Sequence, residues 1–125
     1  MSDELKRVLL VDDDADFRSM LKTALELAGY PVNCARNGKE AQSMQRSAPA
    51  DILITDIFMP EADGFEVIEA FRKEFPQTRI IAISGGARVM KTDYLATAGL
   101  IGVDAALQKP FEVQALLDLL GKLAR

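Results

Sequence analysis

The chain contains no histidine, no tryptophan and a single cysteine, Cys34. The absence of histidine excludes Ser-His-Asp and Cys-His catalysis, histidine metal clusters and a phosphohistidine on this chain. One cysteine cannot form an internal disulfide, which is compatible with a reducing cytosol, and we expect Cys34 to be a small core residue. Any chemistry must therefore use carboxylates, hydroxyls or amines.

Long hydrophobic runs and excess positive charge are also missing. No apolar stretch approaches the roughly 18 residues of a membrane span, and the first apolar run, at 8–11, is too short for a signal-peptide core. Fifteen Lys and Arg against 19 Asp and Glu give a net charge of −4, the wrong sign for binding a phosphate backbone. The sequence therefore predicts a cytoplasmic protein that binds neither membranes nor nucleic acid.

The length and composition are those of an ordinary globular domain. With 125 residues, 49% hydrophobic and 27% charged, the chain has enough apolar residues to form one core without a disulfide or a metal. The sequence contains no repeat, linker or low-complexity tract. We therefore expect residues 1–125 to form one domain.

Apolar runs of strand length alternate with segments of helical period, which favours βαβ units around a parallel sheet. The predicted strands cover 7–11, 32–36, 52–55, 80–83 and 105–108. Because the first, third and fourth are nearly all apolar, we expect them to be the central strands.

Helical periodicity predicts five helices between and after these strands. The first ends at Gly29, a more polar one covers 39–48, a third is stopped by Pro76, a fourth begins between 89 and 93, and the last starts near Val113. The pair Asn37-Gly38 could form a hairpin turn. The segment after it lacks strand alternation, so we reject the hairpin.

Polar side chains follow four of the predicted strands. In an open parallel sheet, ligands bind outside the carboxyl ends of the strands, which lie together at one edge. We therefore expect one site to contain several carboxylates, a hydroxyl and an amine. The residues at these strand ends are Asp12-Asp13-Asp14, Asp56, Ser84 and Lys109.

Each of these residues also has a plain structural interpretation. Asp14 or Asp16 would serve as the N-cap of the first helix, Ser84 as an ordinary strand-end residue, and Lys109 as a surface lysine before Pro110. A cap needs only one Asp, however, so the other acids near it stay unexplained. The coincidence of all four strand ends favours a functional site.

Clustered carboxylates need a counter-charge. If Asp12, Asp13 and Asp56 lie within ~5 Å of one another, each pair costs on the order of 3 kcal/mol at an effective dielectric of about 20. Lys109 can cancel one charge. A hard divalent cation such as Mg²⁺, which prefers oxygen ligands and binds together with substrate phosphates, can cancel the rest.

Five blocks of the sequence, in this order, resemble the receiver domain of two-component response regulators over residues 6–123. The blocks are VLLVDD at 8–13, DILITDIFMP at 51–60, DGFE at 63–66, IIAISG at 80–85 and LQKPF at 107–111. The resemblance implies an α/β, flavodoxin-like (βα)5 fold, with a five-stranded parallel sheet of order 2-1-3-4-5 and helices on both faces.

The resemblance also implies a phosphoacceptor and a metal site. Asp56 would be the phosphoacceptor, whose carboxylate attacks a partner's phosphohistidine to form an acyl phosphate. Asp13 and Asp56 would bind Mg²⁺ directly, and Asp12 mainly through water. The Phe58 carbonyl would supply a further metal ligand.

The remaining roles implied by the resemblance concern the phosphoryl oxygens. Lys109, the Ser84 hydroxyl and the backbone N–H groups of Phe58 and Gly85 would bind them, which matches the charge neutralisation that phosphoryl transfer needs. The bond between Lys109 and Pro110 is expected to be cis.

Two features depart from the usual receiver pattern. Receivers usually carry Tyr or Phe three residues before the lysine, and that ring changes rotamer as the hydroxyl residue, here Ser84, moves. In this sequence the position is Ala106, so the usual aromatic readout is absent and the signal must travel another way. The segment between Ser84 and Lys109 is also longer than the common pattern. We therefore expect 85–92 to be a mobile, partner-specific element.

The leading interpretation is a response regulator without an output domain, which catalyses only its own phosphorylation and dephosphorylation. Its partners would be a histidine kinase or a histidine phosphotransfer protein, and an unknown downstream protein, with the partner face at 17–21 and 89–106. One alternative is a receiver-like adaptor that is not phosphorylated, against which the intact acid, hydroxyl and lysine set argues. A metal-dependent phosphohydrolase would need a general acid and a substrate cap, which the sequence does not offer.

Overall fold

The computed structural model describes residues 6–57, 64–84 and 103–123, without the side chains of Phe65 and Ser84. Within these ranges the strands are β1 (Val8–Val11), β2 (Val32–Ala35), β3 (Ile52–Asp56), β4 (Arg79–Ser84) and β5 (Ala105–Gln108). The helices are α1 (Ala15–Leu27), α2 (Gly38–Ser47), α3 (Gly64–Glu74) and α4 (Val113–Leu123). The helix predicted to begin between 89 and 93 lies outside the described residues.

The five strands form one parallel sheet of order β2-β1-β3-β4-β5. The predicted strand order and the central position of β1, β3 and β4 are therefore confirmed. The continuous apolar runs explain the arrangement, because every described residue of β1 and β3 is buried, as expected for strands covered on both faces. All five carboxyl ends lie at the same edge of the sheet.

Alternate strand residues point to opposite faces of the sheet and build two separate cores. On one face, Leu9, Leu53 and Ile80 pack against α2 and α3, which contribute Ala41 and Phe71. On the other face, the strands pack against α1 and α4. That second core contains, among others, Leu10, Ile54, Ile81, Leu21, Leu25, Leu116 and Leu120.

Local sequence signals set both ends of α1. Asp14 is the N-cap, and its side chain accepts hydrogen bonds from the backbone N–H groups of Asp16 at 3.0 Å and Phe17 at 3.2 Å. Of the two capping candidates, the structure therefore selects Asp14. At the other end Gly29 has φ 101°, a left-handed conformation that glycine adopts without strain, as predicted for the residue that stops this helix.

Asp14→Ala is expected to lower the free energy of unfolding by about 1 kcal/mol, because two N–H groups of the first turn lose their acceptor. Asp14→Asn keeps a capping oxygen and should cost a few tenths of that amount. Urea denaturation of the two variants beside the wild type measures the difference. Equal loss in both variants would contradict the capping role of the side chain.

The other boundaries also follow from the sequence. The Asn37 side chain accepts a hydrogen bond from the Glu40 N–H at 2.9 Å and caps α2, so rejecting a hairpin there was correct. Helix α3 ends at Glu74, shortly before Pro76. Cys34 differs from the prediction, since it is only half-buried at the margin of the second core; burial still raises the pKa of its thiol.

None of the described helices is both long enough and apolar enough to cross a membrane. In the same part of the chain, every buried polar side-chain atom has a hydrogen-bond partner. The sheet edge therefore contains no orphaned buried side-chain group among the described residues.

Candidate functional site

Two acids stand side by side at the carboxyl edge of the sheet because β1 and β3 are neighbours. Val11 pairs with Thr55, so the residues that follow, Asp12 and Asp56, lie beside each other. Both are buried, with exposed fractions of 1% and 5%. The apolar strands that precede them fix these carboxylates at the inner end of the site.

Asp13 completes a cluster of three carboxylates at this edge. One oxygen each of Asp12, Asp13 and Asp56 lie within 4.8 Å of one another. Asp13 itself is exposed, so the cluster has two buried members and one at its solvent side. Acids at the surface are common without function, but two buried carboxylates at this separation need a compensating positive charge.

Lys109 supplies part of that charge. It directly follows β5, and its side chain reaches across the edge so that Nζ lies 3.3 Å from Asp12 Oδ2 and 3.3 Å from Asp56 Oδ2. The bond to Pro110 is cis, as the resemblance implied. The lysine is therefore shared between the two buried acids.

Backbone contacts hold Asp12 in one orientation. Its Oδ1 accepts the N–H of Asp14 at 2.9 Å, while Oδ2 faces Lys109. The guanidinium Nη1 of Arg18, one turn into α1, donates to the Asp12 carbonyl oxygen at 2.7 Å. Both carboxylate oxygens and the carbonyl of this residue thus have a defined partner.

The electrostatics of the site indicate a deficit of positive charge. Burial, helped by the charge of Asp56, raises the pKa of the Asp12 carboxyl from its ordinary 3.8 to about 6, against the opposing effects of the Asp14 N–H and Lys109. Burial by itself would lower the pKa of Lys109, but the charges of Asp56 and Asp12 raise it above its usual value. The lysine is thus firmly protonated and still does not offset the acids completely.

An aromatic ring also contacts the ammonium group. Lys109 Nζ lies 3.9 Å from the centroid of the Phe17 ring, and Phe111 meets that ring edge-on, with centroids 6.2 Å apart and planes at 87°. The sequence predicted Phe17 on the apolar side of the first helix and on the partner face at 17–21, but it did not predict this contact. Since a helical side chain covers the turn before its own Cα, an aromatic three residues after an N-cap could have been directed toward the strand ends.

Several residues that the sequence assigned to the site lie wholly or partly outside the described residues. Phe58, Gly85 and the segment 85–92 lie outside the described residues. Ser84 ends β4 and pairs with Gln108, which puts its backbone at the same edge, but its side chain is outside the description. Ala106 pairs with Ala82 in β5 and is exposed; most of the other predicted partner face, 89–106, falls outside the described ranges.

The donor set fits magnesium. The three groups that come together are all carboxylates, hard oxygen ligands of the kind that Mg²⁺ prefers, and they lie within 4.8 Å of one another with two of them buried. The raised pKa of Asp12 indicates that additional positive charge would be favourable here. A softer metal would require sulfur or nitrogen ligands, and the chain has no histidine.

The parallel sheet, with buried acids and a lysine at its carboxyl edge, matches the arrangement that the resemblance to receiver domains implied. The family model described as response regulator receiver domain matches residues 8–121. The chain belongs to this family. Receiver domains are signalling domains of two-component systems, in which histidine kinases or phosphotransfer proteins phosphorylate them.

Curated relatives resemble this chain over nearly its whole length. It is 38% identical over 121 residues to the response regulator receiver protein CpdR of Brucella abortus (strain 2308), covering 95% of this chain and 97% of that protein. It is 35% identical over 122 residues to the chemotaxis protein CheY of Thermotoga maritima, covering 96% and 98%. In the regulatory protein AtoC of Escherichia coli (strain K12), at 32% identity, the match covers 90% of this chain and only 24% of the relative.

Solved structures agree with the fold. Chemotaxis protein CheY4 of Vibrio cholerae superposes with a TM-score of 0.82 at 31% identity, covering 95% of this chain and 98% of that one. A response regulator receiver domain protein from Clostridium thermocellum gives a TM-score of 0.88 at 24% identity, covering 96% and 94%. At that lower identity the likeness bears on the fold alone. The flavodoxin-like architecture is therefore confirmed.

Proposed function

We propose that this protein is a Mg²⁺-dependent phosphoacceptor that takes a phosphoryl group from a partner's phosphohistidine onto Asp56. The observation that carries the proposal is the buried pair Asp12 and Asp56, joined by Asp13 within 4.8 Å and bridged by the Lys109 ammonium at 3.3 Å. A nucleophilic carboxylate, a metal-binding acid set and a fixed cation are the groups that phosphoryl transfer requires.

The chemistry assigns one carboxylate oxygen of Asp56 as the nucleophile. It attacks the phosphorus, a new P–O bond forms, and the P–N bond of the phosphohistidine breaks with its electron pair remaining on the imidazole nitrogen. The product is an acyl phosphate on Asp56. Lys109 stabilises the charge on the transferred oxygens, since its ammonium is already aimed at the Asp56 carboxylate.

The acids around Asp56 would hold the metal. We assign Asp13 and Asp56 as direct ligands of Mg²⁺, Asp12 as a ligand through water, and the Phe58 carbonyl as a further oxygen. When bound, the ion supplies the positive charge that lets an anionic phosphoryl group approach an anionic carboxylate. The assignment of Phe58 rests on the motif at 51–60, because that residue lies outside the described ranges.

The remaining phosphoryl contacts are proposals from the same motifs. The Ser84 hydroxyl and the backbone N–H groups of Gly85 and Phe58 would bind phosphoryl oxygens that Lys109 does not reach. Ser84 would also be the first residue to respond to the new group. With Ala106 in the usual aromatic position, that response has to reach the surface by another route.

The partners follow from the same chemistry. A histidine kinase or phosphotransfer protein would donate the group, and an unknown downstream protein would bind the phosphorylated form or accept the group in turn. A cytoplasmic location stays a prediction from the sequence, and the net charge of −4 argues against nucleic acid as the target. That residues 1–125 form a receiver without an output domain stays a prediction.

Incubation with acetyl phosphate and Mg²⁺ is expected to add one phosphoryl group to the wild type and none to Asp56→Asn, because the amide is not a nucleophile. Intact-mass spectrometry measures the adduct, with a chelator in place of Mg²⁺ as the metal control. Asp51→Asn is the matched variant, since Asp51 is exposed just before the other end of β3, where it accepts the Arg7 N–H.

Failure of the wild type to form the adduct would overturn the proposal and favour the adaptor alternative. Persistence of the adduct in Asp56→Asn would also overturn the proposal. Hydrolysis of many phosphomonoester molecules per protein molecule would favour the phosphohydrolase. Loss of the adduct in Asp51→Asn as well would show that the loss in Asp56→Asn can arise from impaired folding and not from removal of the nucleophile.

A further inference from the structure

Among the described residues, the Lys109 ammonium has two kinds of contact. Two are charged, the carboxylates of Asp12 and Asp56 at 3.3 Å each, and one is neutral, the face of the Phe17 ring at 3.9 Å from its centroid. The lysine side chain is 23% exposed, so the ring shields part of the ammonium from water. Cation–π attraction strengthens as water is excluded.

The Phe17 ring is held in place from two directions. The backbone N–H of Phe17 donates a hydrogen bond to the capping oxygen of Asp14, which fixes the position of this residue in the first turn of α1. Phe111, between β5 and α4, meets the ring in a T-shaped arrangement at 6.2 Å. Both rings are partly buried against the second core. A ring anchored in this way offers a fixed surface to a long and otherwise flexible lysine.

The two kinds of contact differ in how much of their attraction for the Lys109 ammonium is lost during phosphoryl transfer. Asp12 and Asp56 share their charge with a metal ion under the proposed function, and Asp56 becomes the acceptor, so their hold on Lys109 weakens when the lysine is needed. The ring carries no net charge and binds neither Mg²⁺ nor phosphate. Its attraction for the ammonium is therefore kept throughout.

We propose that Phe17 is a positioning residue, whose ring face holds the Lys109 ammonium over the acid pocket so that it can meet the incoming phosphoryl group. The inference rests on the proposed function and deepens it. Phe17 touches neither phosphoryl group nor metal and acts through Lys109. The sequence motifs assign it no such role.

The competing explanation is that Phe17 only fills space between α1 and Phe111. Fluorination separates the two roles, because successive fluorine atoms drain negative charge from the ring face while leaving the ring nearly unchanged in size and at least as apolar. A space-filling role predicts no effect from fluorination. A cation–π role predicts a graded loss.

The experiment replaces Phe17 in the full chain with phenylalanines carrying one, two and three fluorine atoms, and adds Phe17→Tyr and Phe17→Leu. One readout is the bimolecular rate constant of phosphorylation by acetyl phosphate at saturating Mg²⁺, followed by quenched-flow mass spectrometry. The other is the ring-current shift of the Lys109 ε-methylene protons in metal-free protein by NMR. The same fluorinated series at Phe75, whose ring contacts Phe71 in the other core, is the control.

The rate constant is expected to fall stepwise with fluorine number, by about threefold to tenfold for the trifluorinated ring, and to stay within about twofold of wild type for Phe17→Tyr. The ε-methylene protons should move downfield in Phe17→Leu. The Phe75 series should leave the rate unchanged.

A flat response to fluorine at position 17, or equal losses in the Phe75 series, overturns the positioning role while the phosphoacceptor assignment stands. An absent ring-current shift in the wild type overturns it as well. A wild type that takes no phosphate overturns both proposals together, which makes the two failures distinguishable.

Discussion

The metal-free protein is expected to lose stability as the pH rises from about 4 to 7, and Asp12→Asn should remove that dependence. The pKa of Asp12 is raised from 3.8 to about 6 in the folded chain. A folded pKa above the unfolded one means that the folded state binds the proton more tightly. The stabilisation is therefore complete below about pH 4 and disappears as the pH rises through 6.

The size of the effect follows from the shift. About two pKa units correspond to about 3 kcal/mol, of which roughly half falls between pH 5 and 7.5. That upper interval is unusually clean, because the chain has no histidine to titrate there. Urea denaturation in a chelating buffer across this range measures the slope.

The same urea denaturation is repeated with Mg²⁺ in place of the chelator. Binding of the ion to the folded chain should restore stability at neutral pH, by about 2.7 kcal/mol at a hundred times its dissociation constant. Asp12→Asn should show a flatter pH dependence and a smaller response to Mg²⁺. Asp51→Asn, an exposed acid remote from the site, should retain both. A flat pH profile in the wild type would contradict the buried charge.

The features of the fold that could be predicted are those that depend on residues close together in the sequence. Uninterrupted apolar runs at β1 and β3 predicted central strands, the acids at 14 and 16 indicated where α1 begins, and Gly29 marked its end. The meeting of Asp12 with Asp56 could also be predicted, because parallel strands bring their carboxyl ends to one edge whatever the details of packing.

The unpredicted part depended on long side chains from separate elements. Phe17, Lys109 and Phe111 meet only once α1 and the end of β5 are packed on the same face of the sheet. The choice between Asp14 and Asp16 as cap likewise needed backbone geometry. The raised pKa of Asp12 depends on how deeply the loop after β1 is buried, which no residue spacing reports.

The site and its charge balance depend on the apolar packing of the two cores beneath it. Asp12 is mostly ionised at neutral pH although it is buried, so the cost of that charge has to be offset by packing elsewhere. Among the side chains that pack on the α2 and α3 face of the sheet, Phe71 should contribute most to the free energy of unfolding. It is fully buried, and its ring contacts the Phe75 ring with centroids 5.0 Å apart and planes at 52°.

Phe71→Ala is therefore expected to lower the free energy of unfolding by about 3–5 kcal/mol, through lost transfer energy and the cavity left behind. Phe71→Leu, which keeps most of the volume, should cost less than half as much. Leu27→Ala, at a position 85% exposed on α1, is the control and should stay within about 0.5 kcal/mol of wild type. Urea denaturation monitored by circular dichroism measures all three. A loss below about 1 kcal/mol for Phe71→Ala would mean that α3 contributes little to the core, and that the end of β3 bearing Asp56 is held mainly by its neighbouring strands.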